Sequence, residues 1–130
     1  MSDMSNYLEN KVIDVFFRNQ SYTPAATVYV GLFTAVSDAE AGTGTEVSAG
    51  GYARQAITFG SPSNGVTSNS GTVSWTASGG NFGTVSHFAV FDAVTTGNAL
   101  TAIKALSSSK VINDGDTATF AVSGLSLTAA

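Results

Sequence analysis

The stretch Gly83-Thr-Val-Ser-His-Phe-Ala-Val-Phe-Asp-Ala-Val-Thr-Thr-Gly-Asn98 decides the fold. Residues 85–91 have the β-branched and aromatic content of a strand. At a period of two, Val85, His87, Ala89 and Phe91 fall on one face and Ser86, Phe88 and Val90 on the other. Neither face is polar, which predicts a strand covered on both sides and central in its sheet. Asp92 ends it, and Thr95-Thr96-Gly97-Asn98 reads as a turn with glycine where positive φ is tolerated. The apolar run from Ala99 to Leu106 follows at once, so a hairpin is expected.

Working outward from this strand, the rest of the chain reads in short segments of the same kind. Residues 27–34, 52–59, 66–69 and 72–76 precede it as strand candidates, separated by Gly/Pro/Asn/Ser punctuation. Residues 38–51 read as a long acidic, glycine-rich loop. After the hairpin, Ser107 to Ser109 reads as a turn into residues 110–112, and Asn113-Asp114-Gly115-Asp116 as a tight turn. Residues 117–122 and 125–128 close the chain as strands. Eight or nine short strands with regular turn signals predict an all-β protein: a single β-sandwich or jelly-roll-like domain over residues 1–130.

One helix precedes the strands. Asn6 to Glu9 resembles a capping box, and Leu8, Val12, Val15 and Phe16 recur at helical spacing, with Ile13 and Phe17 widening the stripe. The helix is expected to end near residues 18–20, which divides the chain into an N-terminal arm and helix (1–20) and strands (27–128). Its apolar face requires cover. Either the helix lies over the sheet, or it docks on a partner subunit.

Composition narrows the function. Only 11% of the residues are charged, the formal net charge is −4, and five basic residues are scattered along the chain, so no basic stripe exists to neutralise phosphates and nucleic-acid binding is not expected. Cysteine is absent, which removes disulfides and thiolate metal sites. No apolar run approaches the ~20 residues of a membrane helix, and the N-terminus does not read as a secretory signal. The domain is expected to be soluble, with no membrane partner.

The chemistry-bearing residues give no catalytic constellation. His87 is the single histidine, lies mid-strand, and reads as a structural histidine held within the sheet or at a subunit contact. No Gly-x-Ser-x-Gly elbow is present. Asp92, Asp114 and Asp116 sit in turns, where aspartate caps local backbone. Asp38, Glu40 and Glu46 lack the spacing of a calcium loop. The expectation is therefore no enzyme, no cofactor and no metal. Arg54, in Gly50-Gly51-Tyr52-Ala53-Arg54-Gln55, has two readings: an ion pair with a loop carboxylate such as Glu46, or an intersubunit contact. The interface candidates are Leu8, Val12, Phe16, Tyr52, Arg54 and His87. Carbohydrate binding would draw on Tyr22, Tyr52, Trp75 and Phe82, although Trp75 alternates with polar residues as a core side chain does.

Five segments carry a family resemblance: Asn6-Tyr-Leu-Glu-Asn-Lys11, Ala26-Thr-Val-Tyr-Val-Gly-Leu-Phe-Thr34, Gly50-Gly-Tyr-Ala-Arg-Gln-Ala-Ile-Thr-Phe59, Gly83 to Ala93 with Thr96 to Leu100, and Ser109-Lys-Val-Ile-Asn-Asp-Gly-Asp-Thr117. The chain resembles, over nearly its whole length, a family of small tailed-bacteriophage virion proteins commonly labelled tail fibre or minor structural proteins. The resemblance implies a component of the virion, assembled in the host cytoplasm, with the major capsid protein or tail proteins as partners. A fibre shaft takes a coiled coil or repeats, and this chain shows neither. A capsid decoration (cement) protein, often a homotrimer bound outside the shell, is the leading expectation. A tail-associated fibre, adaptor or receptor-binding module is the alternative.

Overall fold

The computed structural model of the chain describes residues 3–129. One helix, α1 (Asn6–Phe17), precedes nine strands: β1 (Val28–Asp38), β2 (Thr43–Glu46), β3 (Gln55–Ile57), β4 (Val66–Ser68), β5 (Val73–Thr76), β6 (Gly83–Phe91), β7 (Lys104–Ile112), β8 (Thr117–Phe120) and β9 (Ser126–Thr128). The main sheet runs β2-β1-β6-β7, with β3 also paired to β1. Two antiparallel pairs, β4-β9 and β5-β8, form separate ladders outside it. The sheets are not closed on themselves, and the protein is an all-β, sandwich-like structure with a short N-terminal helix.

The strand read as central is central: β6 pairs with β1 on one side and β7 on the other. It is covered on both faces. Val85, Phe88 and Val90 join Val30, Leu32, Val73, Trp75, Ile112 and Leu125 in the larger core. Ala89 and Phe91 join Phe33, Ala99 and Ile103 in a smaller core behind the sheet. Strict alternation fails at one place. Val85 shares the core of Phe88 and Val90 because the β6–β7 register shifts between Val85↔Lys110 and His87↔Ala105.

That shift also corrects the turn read at Ser107 to Ser109. These residues lie inside β7, where the ladder to β6 is interrupted rather than ended. The return from β6 likewise differs from a plain hairpin starting at Ala99, since β7 begins only at Lys104. Between them the Thr101 side chain stands in for a ladder partner, its Oγ1 accepting from Val90 N at 3.0 Å, while Leu100 N donates to Val90 O at 2.7 Å. The presumed loop 38–51 holds β2, which pairs with β1 through Phe33↔Glu46 and Asp38↔Thr43. Threonines among glycines make a strand there that composition conceals.

The two outer ladders are tied together by a residue that pattern reading passed over. Asn69, 1% exposed, donates from Nδ2 to Gly71 O (2.7 Å) and Ala121 O (2.8 Å), and its Oδ1 accepts from Leu125 N (2.9 Å). Three hydrogen bonds satisfy a buried amide and clamp the β4–β5 connection to the β8–β9 connection.

The helix departs furthest from expectation. Its cap is Ser5, not Asn6: Ser5 Oγ accepts from Leu8 N at 3.2 Å and donates to Ala99 O at 2.5 Å. No residue of α1 is buried. The domain covers its apolar stripe only in part, on the side of Leu8, Val12 and Val15.

Candidate assembly surface and an internal polar lock

The six interface candidates separate into two groups. Tyr52 and Arg54 come together at the edge of the main sheet, around Glu46 of β2. Arg54, 9% exposed, grips Glu46 with two parallel bonds, Nε to Oε2 and Nη2 to Oε1, both 2.9 Å. Its Nη1 donates to Ala93 O (2.9 Å) and Thr96 O (2.7 Å), and the guanidinium stacks 3.6 Å from the centre of the Phe91 ring. A planar fork suits this bidentate, stacked arrangement, which a lysine could not reproduce. Tyr52 completes the cluster, donating to Glu46 Oε2 at 2.5 Å and accepting from Leu32 N at 2.9 Å. Burial, and then the hydrogen bond to Glu46, push the Tyr52 phenol far above its ordinary value of 10.0. The ion-pair reading of Arg54 is therefore the one the geometry bears out.

One signal of this lock was present in the sequence. Gly31 interrupts the apolar strand Val28–Asp38, and a Cβ there would stand 2.8 Å from Glu46 Oε2 and 3.2 Å from Tyr52 Oη. A glycine inside a strand marks a close approach, and here the approaching group is the carboxylate.

His87 is half-buried in β6, paired across to Phe33 and Ala105, with Ser86 Oγ 2.7 Å from its Nδ1. It is a hydrogen-bonded strand residue and no member of the lock's ion pair. Two of the turn aspartates cap local backbone: Asp92 Oδ1 accepts from Asn98 N (2.7 Å) and Asp116 Oδ2 from Asn113 N (2.8 Å). Asp114 instead ties its turn to a distant loop, its Oδ1 accepting from Gly79 N (3.0 Å). Trp75 and Phe82, two of the aromatic candidates for sugar stacking, are core residues, 3% and 6% exposed. Among the described residues, no three His, Cys, Asp or Glu side chains converge as metal ligands would.

Leu8, Val12 and Phe16 lie together on α1, and the helix has two apolar sides. Leu8, Val12 and Val15 fall on one side and are half-buried. Ile13 and Phe17, four residues apart, lie on the opposite side, with Phe16 between the two. These three are 51%, 78% and 76% exposed respectively. The base of the helix is anchored: Asp3 Oδ2 accepts from Lys104 Nζ (2.9 Å) and Thr128 N (2.8 Å), Ser5 N donates to Leu100 O (3.0 Å), and Asn6 N to Glu40 O (2.9 Å). Behind it, Lys11 Nζ sits 5.6 Å and 5.8 Å from the ring centres of Tyr7 and Tyr22. Beside the base opens an apolar groove of about 660 Å³. The far turn of the helix carries two phenylalanines into solvent.

A β-sandwich with its buried arginine and asparagine satisfied internally and an anchored helix offering apolar side chains outward has the build of a structural subunit. The comparison with known families identifies its kind: residues 3–128 match the family described as podophage GP4 fiber I protein gp80. The chain belongs to this family of phage fibre proteins and is a bacteriophage virion structural component. No curated protein matches the chain.

Proposed function

We propose that this chain is a fibre-associated subunit of a tailed-phage particle, working by assembly with other virion proteins rather than by catalysis. The family's fibre label supports the location, and one observation carries the mode of action. The outward side of α1 exposes Ile13, Phe16 and Phe17 while the base of the same helix is fixed by Asp3 and Ser5. Exposed apolar clusters of this kind on a rigid support mark contact sites. The domain contains neither repeats nor a coiled coil among its described residues, so it would form a knob or adaptor rather than a shaft.

The same compactness favours a second reading, a capsid decoration protein bound outside the shell, with protomer contacts contributing stability against internal pressure. Cryo-electron microscopy of purified particles, with an antibody label against this chain, separates the two. Density confined to the tail or its fibres is expected; density spread over the icosahedral shell would overturn the fibre reading and establish decoration. Deleting residues 1–20 is expected to abolish attachment at whichever site is found, and full occupancy of the truncated chain would sink the role assigned to the helix.

A further inference from the structure

We infer that the mouth of the sandwich between β7 and β8 receives an extended peptide segment of another protein, which adds to the free edge of β8 as one more strand. The short turn Asn113–Asp116 joins β7 to β8, yet the two strands do not pair. β7 belongs to the main sheet through β6, and β8 to the facing ladder through β5. Between them lies a cleft of about 740 Å³, walled on one side by β7 and on the other by β8, with Leu32, Val85, Phe88 and Trp75 among its lining.

The edge of β8 is left open by its register. Ala77 N donates to Asp116 O at 3.0 Å, in step with the β5–β8 pairs Trp75↔Ala118 and Val73↔Phe120. In an antiparallel ladder the residues between such pairs turn their N–H and C=O away from the partner strand. Thr117 and Thr119 therefore present theirs to the open side, and no hydrogen bond among the described residues reaches them. β9 shows how such an edge is closed. Thr128 N donates to Asp3 Oδ2 and Thr128 O accepts from Asp3 N, both at 2.8 Å, while Ser126 O accepts from Lys104 Nζ at 3.2 Å. Lysines and interrupted ladders discourage edge pairing. β7 has Lys104, Lys110 and a register shift; β8, Thr117-Ala-Thr-Phe120, has no such guard.

The chemistry of the cleft selects a strand as its occupant. The outward groups of Thr117 and Thr119 repeat at about 7 Å, a spacing that an extended main chain matches and a sugar or acyl chain does not. Trp75, 3% exposed, has a buried Nε1 with no acceptor among the described residues. A buried donor calls for an acceptor, and an inserted main chain brings carbonyls into the cleft that Trp75 lines. Half-buried Ala118 and Phe120 border the cleft with Val111, 63% exposed, so alternate side chains of the added strand meet apolar surface. Charge adds one requirement. Lys104 is paired with Asp3, and Asp116 caps Asn113 N, but Lys110 forms no ion pair among the described residues. The fitting segment alternates apolar with polar residues and carries an acidic group for Lys110.

The test does not depend on which part of the particle carries the chain. A displayed library of random peptides of about nine residues, within ordinary strand length, is selected on the full chain and in parallel on Thr119→Pro. Proline there removes an outward N–H and leaves the ladder to β5 its own bonds. Peptides enriched on the parent should alternate apolar and polar residues and include an acidic one. Their synthetic forms should bind Thr119→Pro at least about tenfold more weakly. Trp75 is the one tryptophan of the chain, so its fluorescence should shift on binding. The amides of Thr117 and Thr119 should gain protection from hydrogen exchange. Should Thr119→Pro not fold, Lys110→Glu takes its place, and the enriched charge should change from acidic to basic. Equal enrichment on parent and variant, or none on either, would overturn the proposal. Protection confined to α1 would do the same. A parent that is heavier than Thr119→Pro by light scattering would overturn it in favour of a second copy at this edge.

Discussion

The lock around Glu46 and the tip of α1 show opposite ways of dealing with an awkward side chain. At the lock, a guanidinium, a carboxylate and a phenol are withdrawn from water, and their polar atoms find partners inside the chain. At the tip, two phenylalanines and an isoleucine are left largely in water. The first region is complete when the chain has folded. The second is complete only when another surface arrives. Both supplied interface candidates, Tyr52 and Arg54 by residue type and Phe16 by its place on an apolar helix stripe that needs cover. What separates them is whether partners already exist within one chain.

Removing Glu46 should break the first region outright. In Glu46→Ala the buried Arg54 keeps two carbonyls and the Phe91 ring but loses its countercharge, and Tyr52 loses its acceptor. Stranding a buried charge costs about 3 kcal/mol or more, although the Glu46 side chain is 24% exposed, which admits some water. The urea midpoint of the variant reads this directly. A loss below about 1 kcal/mol would mean that the carbonyls and the ring alone hold the guanidinium, and the lock would no longer be the distinguishing feature of that region.

Tyr52 sharpens the same point through pH. Its phenol is raised above 10.0 in the folded chain, so the native state holds this proton more tightly than the unfolded state does. The stabilisation is complete below pH 10 and is lost as pH rises beyond it. Tyr52→Phe should cost about 1–2 kcal/mol at neutral pH, since Leu32 N loses an acceptor and Glu46 a donor. The gap between parent and variant should then narrow as the pH is raised from 8 to 11. Chemical denaturation at the two pH values tests this, and a gap that is constant or widens contradicts the placement of the proton.

Much of this fold was legible in residues 83–98, because a strand apolar on both faces has few places to go other than the middle of a sandwich. What escaped was set by side chains replacing backbone partners. Thr101 bonding Val90 delays β7, and Asn69 joins two ladders that share no strand. A period-two pattern carries no trace of either. The cap shifted from Asn6 to Ser5 because Ser5 is also required at Ala99 O, a contact ninety-four residues away. Arg54 and Glu46 were readable as a pair, and Gly31 was the unused sign of where they meet. The helix was readable as a helix, but amphipathic spacing does not say whether cover is supplied by the same chain.

The smallest expected effect decides the comparison. Replacing Phe16 and Phe17 by serine should change the stability of the isolated chain by no more than about 0.5 kcal/mol, the scale of exposed substitutions remote from packing. Binding of the chain to purified particles that lack it should be lost in the variant, while the thermal melting curves of the two isolated proteins should coincide. If the curves stand apart by the equivalent of about 2 kcal/mol or more, the phenylalanines already pack on their own domain, and the tip is a second folded-in region rather than a surface awaiting a partner. If they coincide, the two phenylalanines contribute nothing to holding the sandwich together, and they are retained for assembly alone.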